Sequence, residues 1–428
     1  MGPTSPSSLL LSYTKRMQSC IAQGRHEEAL SLFHRMRASP SLLLDAFVFP
    51  LAIKSCTALN RPSAGASVHA HSTKAGLLSN PFVSSALVDM YGKCVSLDSA
   101  RQLFDEIPQR NVVAWNAMIS LYCRSGDVGS ALRLFEDMDV PPIESSFNAI
   151  IAALSESDDG SARALEFYAR MWASGVRPNL ITVLALLNVC VGMAALSLVR
   201  EIHGFSVRNF ISLHPHLSSG LVEVYGRCGS LRNARRVFDE MRERDVVTWS
   251  SMVSAYALHG DAKSALLVFK EMESAKIRPD GVAFLSVLKA CSHAGLADEA
   301  LKYFNWMHEH YASEVSQDHY SCLVDVLGRA GRLKEAYDVI REMPQQSSAK
   351  AWGALLGACR NYGEVTLAEI AGRVLFEVEP DNAGNFVLLA TIYANAGMFK
   401  EADRVRLEMR ERGMRRMPGS SWVTSQAS

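Results

Sequence analysis

The chain has 428 residues, 48% of them hydrophobic, and its 44 basic side chains balance 44 acidic ones, so the formal net charge is zero. This hydrophobic content excludes intrinsic disorder, and 27 glycines with 15 prolines are too few for a collagen-like or low-complexity chain. The chain also lacks the strong net positive charge that argues directly for nucleic-acid binding, although a local basic stripe would suffice.

The N-terminus has the composition of an organellar transit peptide. It carries several serines, the basic residues Lys15 and Arg16, and no acidic residue before Glu27. Helical patterning begins near Leu10, which leaves residues 1–9 as an N-terminal segment that is a candidate part of such a peptide.

From Leu10 onward the main signal is internal repetition. The segment from Ser85 (SALVDMYGKCVSLDSARQLFDEI) matches the segment from Ser219 (SGLVEVYGRCGSLRNARRVFDEM) nearly residue for residue. A shorter repeat recurs about every 31 to 36 residues, which is the range of helical-hairpin repeats. Most repeats carry an Ala, a Phe and a Met in their second half: Ala29/Phe33/Met36, Ala131/Phe135/Met138, Ala234/Phe238/Met241, Ala265/Phe269/Met272 and Ala300/Phe304/Met307.

Each repeat predicts two helices. With Val112 as position one, Trp115, Met118, Ile119 and Tyr122 fall at positions 4, 7, 8 and 11, which lie on one face of an α-helix. The repeat that starts at Val246 has the same pattern, and glycine turns follow the first helix at Gly126, Gly229 and Gly260. Because neither helix can bury its apolar stripe alone, the sequence predicts stacked hairpins with a continuous core, an all-α solenoid.

Three features that suggest other chemistry fit this packing. The uncharged run 180–199 is long enough to cross a membrane, but the repeat divides it into a buried helix, a turn and a second helix. The nine cysteines show no CxxC pair and no zinc-ligand spacing, so we expect no metal site, no disulfide framework and a reducing compartment. Seven residues recur at equivalent, apolar repeat positions and are predicted to be packing residues: Cys20, Cys56, Cys190, Cys291, Cys359, His69 and His203.

Several repeats end in Pro-Asp or Pro-Asn, as at Pro279-Asp280, and open with a hydrophobic residue followed by Thr-Trp or Ala-Trp, as at Thr248-Trp249. These motifs resemble the pentatricopeptide repeats of plant organelles, in the subclass with long and short repeats, and the resemblance implies a right-handed solenoid. We divide the chain into ten repeats: 10–45, 46–80, 81–111, 112–143, 144–179, 180–214, 215–245, 246–280, 281–316 and 317–348. Residues 349–416 resemble the family's E extension, two degenerate helical repeats, and 417–428 form a tail that contains PGSSW at 418–422.

Family members with this extension are typically specificity factors for cytidine-to-uridine RNA editing, so the resemblance implies single-stranded organellar RNA as a partner. Deamination itself needs an H-x-E and P-C-x-x-C zinc site. Only His26-Glu27-Glu28 matches H-x-E, at a predicted helix start, so we expect no enzyme activity, no cofactor, and a trans-acting deaminase recruited through the E extension. By the same resemblance, the compartment is the mitochondrion, with the plastid as the alternative.

The residue pattern also predicts a reading face on the first helices. Position five is small and polar in seven repeats: Thr14, Ser85, Asn116, Asn148, Ser219, Ser250 and Ser321. Position thirteen is basic in four, which suits phosphate contact: Lys93, Arg124, Arg227 and Arg329. Position two is often apolar and is predicted to sandwich a base at Phe82, Val113, Val247 and Val282, whereas His216, Ser145 and Asp318 break the pattern. The alternative is an ordinary solvated helix face.

In the family, position five and the last residue of a repeat together determine the base. Carried over, the pairs Thr14/Asp45, Ser219/Asp245 and Ser250/Asp280 imply guanine, Ser85/Asn111 implies adenine, and Asn148/Asn179 implies a pyrimidine. Asn116/Ile143 should discriminate poorly. Four pairs depart from the code: Pro50/Asn80, Leu184/His214, Leu285/Ser316 and Ser321/Ser348. An apparent insertion near Asp158 makes repeat 144–179 irregular.

Three functions are consistent with these sequence features. The first is an RNA-editing specificity factor, and the second is transcript stabilisation or splicing support without editing. The third is a helical scaffold that binds peptides and no RNA, which the neutral net charge slightly favours. No constellation of residues supports an enzyme.

Overall fold

The computed structural model describes residues 6–39, 42–157, 159–209, 214–344 and 348–414. These residues form 24 α-helices and one short 3-10 helix, with no β-strand among them, so the all-α prediction is confirmed. Residues 1–5 of the N-terminal segment, the insertion at Asp158 and the tail 417–428 with its PGSSW motif lie outside the described residues.

The chain divides into two compact parts, residues 1–211 and 212–428, and each is a series of helical hairpins in which neighbouring first helices pack together. The helices of the N-terminal part are α1 (Pro6–Ala22), α2 (His26–Arg37), α3 (Val48–Ala58), α4 (Pro62–Lys74), α5 (Pro81–Cys94), α6 (Leu97–Glu106), α7 (Val112–Arg124), α8 (Val128–Glu136), α9 (Glu144–Ser155), α10 (Ser161–Ala173), α11 (Leu180–Met193) and α12 (Leu196–Arg208).

The helices of the C-terminal part are α13 (Pro215–Arg227), α14 (Leu231–Glu240), α15 (Val246–Leu258), α16 (Ala262–Ser274), α17 (Gly281–Ala294), α18 (Ala297–His310), α19 (Gln317–Arg329), α20 (Leu333–Glu342), α21 (Ala349–Tyr362), α22 (Val365–Val378), α23 (Ala383–Asn395) and α24 (Phe399–Glu411). From residue 81 to 349, every first helix begins at the first position of a predicted repeat or extension.

The predicted apolar stripes form the core of each part. Trp249, Met252 and Val253 of α15 are buried, as are Ala234 and Phe238 of α14. The rings of Phe238 and Trp249 meet edge to face with centroids 4.8 Å apart. Burial of such side chains is the main favourable term in hairpin stacking, because an isolated hairpin leaves the stripe in water.

An arginine closes this contact in the same way in both parts. The Arg244 guanidinium lies 4.6 Å from the Phe238 ring centroid, and its Nε donates to the Phe238 carbonyl oxygen at 2.7 Å. In the N-terminal part Arg110 lies 4.8 Å from the Phe104 ring and donates to the Phe104 carbonyl oxygen at 3.0 Å. The two matching sequence segments therefore fold into the same packing unit.

The turn glycines and the uncharged run behave as predicted. Gly126, Gly229 and Gly260 adopt φ of 81°, 78° and 75°, a left-handed conformation that is open to glycine at little cost. The run 180–199 is divided between α11 and α12 by a turn at Ala194, which has φ of 49°. No helix among the described residues has the length and apolarity needed to cross a membrane.

The cysteines at position eleven are buried, as their spacing predicts. Burial raises the pKa of Cys56 to about 11 and that of Cys291 to about 12, so both remain protonated packing residues. His69 is half-buried with Nδ1 3.0 Å from the Tyr91 hydroxyl, and burial holds the pKa of His69 below its usual value. His203 is also half-buried.

One part of the packing pattern was wrong. The methionine three residues after the Phe of the repeat is buried at Met36, Met272 and Met307, which lie within their second helices, but Met138 and Met241 are half-exposed. In those two repeats the second helix is short and ends before the methionine, at Glu136 and Glu240. The helix end does not by itself expose the side chain, because Met343 directly follows a second helix that ends at Glu342 and is buried.

Candidate nucleic-acid interface

The last residue of most repeats caps the first helix of the next repeat. Asp280 Oδ1 accepts the Ala283 backbone N–H at 2.8 Å, which satisfies one of the N–H groups that a helix start leaves without a partner. Asn111, Asn179 and Asp245 cap their helices in the same way. In each of these caps Oδ1 accepts the backbone N–H. The other polar atom of the side chain, Oδ2 of Asp or Nδ2 of Asn, is therefore held at a fixed place outside the helix.

The residue at position five meets this cap directly in the repeat 246–280. The Ser250 hydroxyl lies 2.9 Å from Asp280 Oδ1 and 2.8 Å from the Val246 carbonyl oxygen. Its single proton goes to one of these acceptors, so the lone pairs of Oγ are available to accept a bond from a ligand. The two residues that the sequence pairs, thirty positions apart, thus form one polar site.

Two further predicted pairs are in contact. Asn148 Nδ2 donates to Asn179 Oδ1 at 3.1 Å, and Asn148 Oδ1 accepts the Thr182 hydroxyl at 2.6 Å. The hydroxyls of Ser321 and Ser348 lie 3.2 Å apart, and both residues are buried.

The pair Ser219 and Asp245 is joined through a third residue. The Thr248 hydroxyl lies 2.7 Å from the Ser219 hydroxyl and 2.6 Å from Asp245 Oδ1. Burial would raise the pKa of Asp245, but the hydrogen bonds from Thr248 and the nearby His216 outweigh it and hold the pKa below its usual value. Asp245 is therefore an ionised acceptor at neutral pH.

The remaining pairs are not brought together in the described part of the chain. The Thr14 hydroxyl donates to the Leu10 carbonyl oxygen at 2.9 Å, and the Ser85 hydroxyl donates to that of Pro81 at 2.7 Å. Asp45 Oδ1 accepts the Val48 backbone N–H at the start of α3, and Asn111 caps α7, but neither bonds to these hydroxyls. Asn116 Nδ2 instead donates to the Ser145 hydroxyl at 2.7 Å, and its Oδ1 is buried without a hydrogen-bond partner.

The position-two side chains stand at the solvent edge of these sites. Val247 is 55% exposed and Val282 is 60% exposed, and they flank a cleft of about 440 Å³ that also contains Ser250 and Asp280. We call this space the 247/282 slot. Phe82 and Val113 are likewise exposed in the N-terminal part. Large apolar side chains left in water beside a polar floor are typical of ligand-binding surfaces.

Three of the four predicted phosphate-binding cations are held in ion pairs. Lys93, Arg227 and Arg329 each contact an acid four residues earlier, at 2.8, 3.0 and 2.9 Å respectively. The acids are Asp89, Glu223 and Asp325. Arg124 has no ion-pair partner among the described residues. Exposed pairs of this kind contribute about 0–1 kcal/mol, so the cations are readily exchanged onto another anion.

The equivalent slot at the end of the array is different. Its position-two residues, Asp318 and Lys350, form an ion pair with Nζ 2.8 Å from Oδ1. We call the space at this equivalent position the 318/350 slot, and Ser321 is the position-five residue of its repeat. The pair replaces the two apolar walls with one charged bridge across the opening.

Three groups of residues in this site were not predicted from the sequence. The acids Asp89, Glu223 and Asp325 were visible as spacing, since charges four residues apart on a helix are neighbours. Asp318 and Lys350 are 32 residues apart, and their pairing was visible only as opposite charges at position two of adjacent units. The hydroxyl bridges of Thr182 and Thr248 had no such signal, because threonine at the third helix position is common. Among the described residues, no group of three or more His, Cys, Asp or Glu side chains is placed to hold a metal ion.

Sequence profiles identify the repeats and the C-terminal region. Profiles described as PPR repeat match residues 11–40, 82–112, 219–246, 282–310 and 318–347, and a PPR repeat family profile matches 110–140 and 244–293. A profile described as the E motif matches residues 362–424.

Similar proteins are pentatricopeptide repeat-containing proteins of Arabidopsis thaliana. A putative member is 60% identical over 96% of this chain and 96% of that protein. The chloroplastic protein CRR2 is 39% identical over 94% of this chain and 57% of its own length, and a putative mitochondrial member is 34% identical over 95% and 77%. The chain thus spans nearly all of the first relative and little more than half of the second.

Among solved structures, the fold is similar to that of the pentatricopeptide repeat protein PPR10. The complex of PPR10 with an 18-nt psaJ RNA element matches with a TM-score of 0.73 and 19% identity, over 95% of this chain and 61% of that one. The free protein from maize matches with a TM-score of 0.59. At this level of identity the likeness establishes the fold.

Proposed function

The chain belongs to the pentatricopeptide repeat family, and from this premise we propose that it is a sequence-specific single-stranded RNA-binding protein that acts on organellar transcripts. Its specific role in this proposal is to select sites for cytidine-to-uridine editing, with the deaminase supplied by another protein. The observation that carries the proposal is the 247/282 slot, in which two exposed valines flank the polar pair Ser250 and Asp280.

The slot suits an unpaired base on physical grounds. The faces of a base are apolar and pack against the valines, whereas its Watson–Crick edge reaches the polar floor. Guanine presents N1–H and N2–H₂ donors on that edge. Asp280 keeps Oδ2 outside the helix cap, and Ser250 Oγ retains its lone pairs, so both offer acceptors to those donors.

The chain's charge distribution supports backbone contact without strong non-specific binding. The cleft that contains the slot also includes Arg227 and Lys289, although the whole chain is neutral. A few cations in register bring the phosphates to the slots, while the absence of excess positive charge keeps sequence-independent affinity low. We therefore expect moderate salt dependence and a strong dependence on base identity.

The editing role rests on the match of residues 362–424 to the E motif. In this proposal the helices α21–α24 contact the deaminase and do not read bases. One relative is named mitochondrial and another chloroplastic, and we propose the mitochondrion for this chain.

RNA selection from a random pool, followed by filter binding, tests the binding proposal. We expect enriched RNAs that share guanines at two adjacent positions, read by the repeats 215–245 and 246–280, with base preference abolished by Asp280→Ala. Enrichment of no RNA, or of RNAs without a common sequence, would contradict the proposal and favour a peptide-binding scaffold.

Sequencing of organellar transcripts from plants with and without the gene tests the editing role. We expect one or a few cytidines to lose editing without the gene, and we expect the full chain to restore it. A chain that ends before Ala349 should still bind RNA in vitro but fail to restore editing. Loss of transcript abundance or splicing with unchanged editing would instead support the stabilisation role.

A further inference from the structure

The two Ser/Asp pairs of the C-terminal part are identical in sequence but different in structure. Ser250 contacts Asp280 Oδ1 directly at 2.9 Å. Between Ser219 and Asp245 stands the Thr248 hydroxyl, 2.7 Å from Ser219 and 2.6 Å from Asp245. The position equivalent to Thr248 in the next repeat is occupied by Ala283, which has no hydroxyl. Both third-position side chains are fully buried.

The number of protons available on each group determines the direction of these hydrogen bonds. An ionised carboxylate only accepts, so the Thr248 hydroxyl donates its single proton to Asp245 Oδ1. The Ser219 hydroxyl then donates to Thr248 Oγ1 or to the Pro215 carbonyl oxygen, 3.0 Å away. Asp245 Oδ1 also accepts the Thr248 backbone N–H at 2.9 Å. The hydroxyl and the backbone N–H that donate to this oxygen therefore belong to one residue of the following repeat.

A second threonine at the third position shows that the bridge depends on its neighbours. The buried Thr182 hydroxyl donates to Asn148 Oδ1 at 2.6 Å and lies farther, 3.3 Å, from the cap residue Asn179. The hydroxyl at this position therefore donates to the position-five residue Asn148 in one repeat, and to the cap carboxylate of Asp245 in the repeat whose position-five residue is Ser219.

We propose that Thr248 is a specificity-determining residue, which orients the Asp245 carboxylate for base recognition from the repeat that follows. The inference rests on the proposed RNA-binding function, and it adds a third residue to the pair that the sequence identifies. Its consequence is that Asp245 keeps its orientation independently of Ser219, whereas the orientation of Asp280 is coupled to Ser250. Two repeats with the same pair of residues therefore differ in how strictly they select guanine.

The hydrogen bonds that Thr248 donates also lower the pKa of Asp245, against the effect of burial. This gives a measurement that needs no RNA. In the free protein, the isosteric variant Thr248→Val should raise the pKa of the Asp245 carboxyl in an NMR titration. Thr248→Ser, which retains the hydroxyl, should behave as the wild type.

The same variants are compared in filter binding with RNAs that carry guanine or adenine at each of the two positions. For Thr248→Val we expect the guanine preference at the base of repeat 215–245 to fall about tenfold, since one charge-assisted hydrogen bond is removed. The preference at the base of repeat 246–280 should not change, and Thr248→Ser should retain both.

Three results would overturn the inference. They are an unchanged pKa of Asp245 in Thr248→Val, a loss of affinity that is equal for all RNAs, and an equal effect of Thr248→Ser. A wild-type protein without base preference at either position would instead contradict the proposed function, and the specificity role of Thr248 would fail with it. The titration would still show whether Thr248 holds the carboxylate, so the two failures are distinguishable.

Discussion

The 247/282 slot and the 318/350 slot have the same backbone plan but different side chains at their openings. In the first, two exposed valines stand apart over Ser250 and Asp280. In the second, Asp318 and Lys350 hold the two equivalent positions and form an ion pair at 2.8 Å. The comparison shows that the repeat supplies the position of a binding site, while the residue at position two decides whether a base finds an apolar place to enter.

The energetic difference between the slots is one of desolvation rather than of bond strength. An exposed ion pair contributes only about 0–1 kcal/mol, and Lys350 and Asp318 are largely exposed. A base that enters the 318/350 slot must nevertheless displace or desolvate both charges, whereas a base between the valines buries apolar surface. We therefore expect the array to read RNA up to the 247/282 slot more strictly than at its end.

The largest expected effect tests whether the repeats around the 247/282 slot unfold independently of the C-terminal helices α21–α24. Phe238→Ala should cost about 3–5 kcal/mol of local stability, because it leaves a cavity against Trp249. In hydrogen exchange, α13–α16 should lose protection while α21–α24 retain it, since stacked repeats couple mainly to their neighbours.

The matched control lies in the extension, where the rings of Phe376 and Phe386 stack with centroids 3.6 Å apart. Phe376→Ala should give the reverse pattern, with protection lost in α21–α24. Equal loss along the whole C-terminal part in either variant would show that the two regions unfold as one.

The second-largest effect is expected from substitutions at position five, which should change base preference at one slot and not at the other. By the family's code, Ser250→Asn should shift the preferred base at the 247/282 slot from guanine toward uracil, by roughly one to two decades in relative affinity. Ser321→Asn at the 318/350 slot should leave base preference unchanged. Filter binding with RNAs that differ at single bases measures both, and a shift in Ser321→Asn would mean that the ion pair does not close its slot.

Opening the second slot is a sharper test of the role of position two. The double variant Asp318→Val with Lys350→Val reproduces the walls of the 247/282 slot. We expect affinity for RNAs long enough to reach this slot to rise about threefold to tenfold, while shorter RNAs bind as before. The single variant Lys350→Val serves as the control, because it leaves Asp318 charged. An unchanged RNA affinity in the double variant would show that the Asp318–Lys350 pair is not what keeps a base out of this slot.

The smallest effect is expected from the cations beside the slots. Arg227→Ala should weaken all RNAs alike and reduce the salt dependence by about one phosphate contact, since such a contact carries no sequence information. Glu223→Gln removes the acid that pairs with Arg227 and should strengthen binding slightly at low salt. A change in base preference for Arg227→Ala would show that the reading face is assigned wrongly.

The sequence was sufficient to predict the fold but only part of the site. The hairpins follow from the spacing of residues such as Trp249, Met252 and Phe238, because the period of buried residues is a property of the helix. The contact of Ser250 with Asp280 follows from the repeat length. The Thr248 bridge does not follow from the period, since the hydroxyl at position three is visible in the sequence but the partner that it selects is not: Thr182 donates to the position-five residue and Thr248 to the cap carboxylate.

The half-exposed methionines illustrate the same limit in the core. Met138 and Met241 occupy the positions of the buried Met272, yet the preceding helix ends a few residues earlier in their repeats. A repeat that is shorter by a few residues changes the helix end, and the sequence period alone does not show which residue absorbs the difference.

Helix capping limits how the specificity of such an array can be rewritten. Asp245, Asp280 and Asn179 each serve two neighbouring repeats, as the cap of one helix and as part of the polar site of the repeat before it. Only short side chains with an acceptor cap a helix start well, and replacement by a non-capping residue costs about 0.5–2 kcal/mol. Exchange between Asp and Asn leaves the cap in place. A change of base preference that is made by this exchange therefore does not destabilise the helix. The residue types that the last position of a repeat can adopt, in engineering or in evolution, are thus restricted by the stability of the adjacent helix.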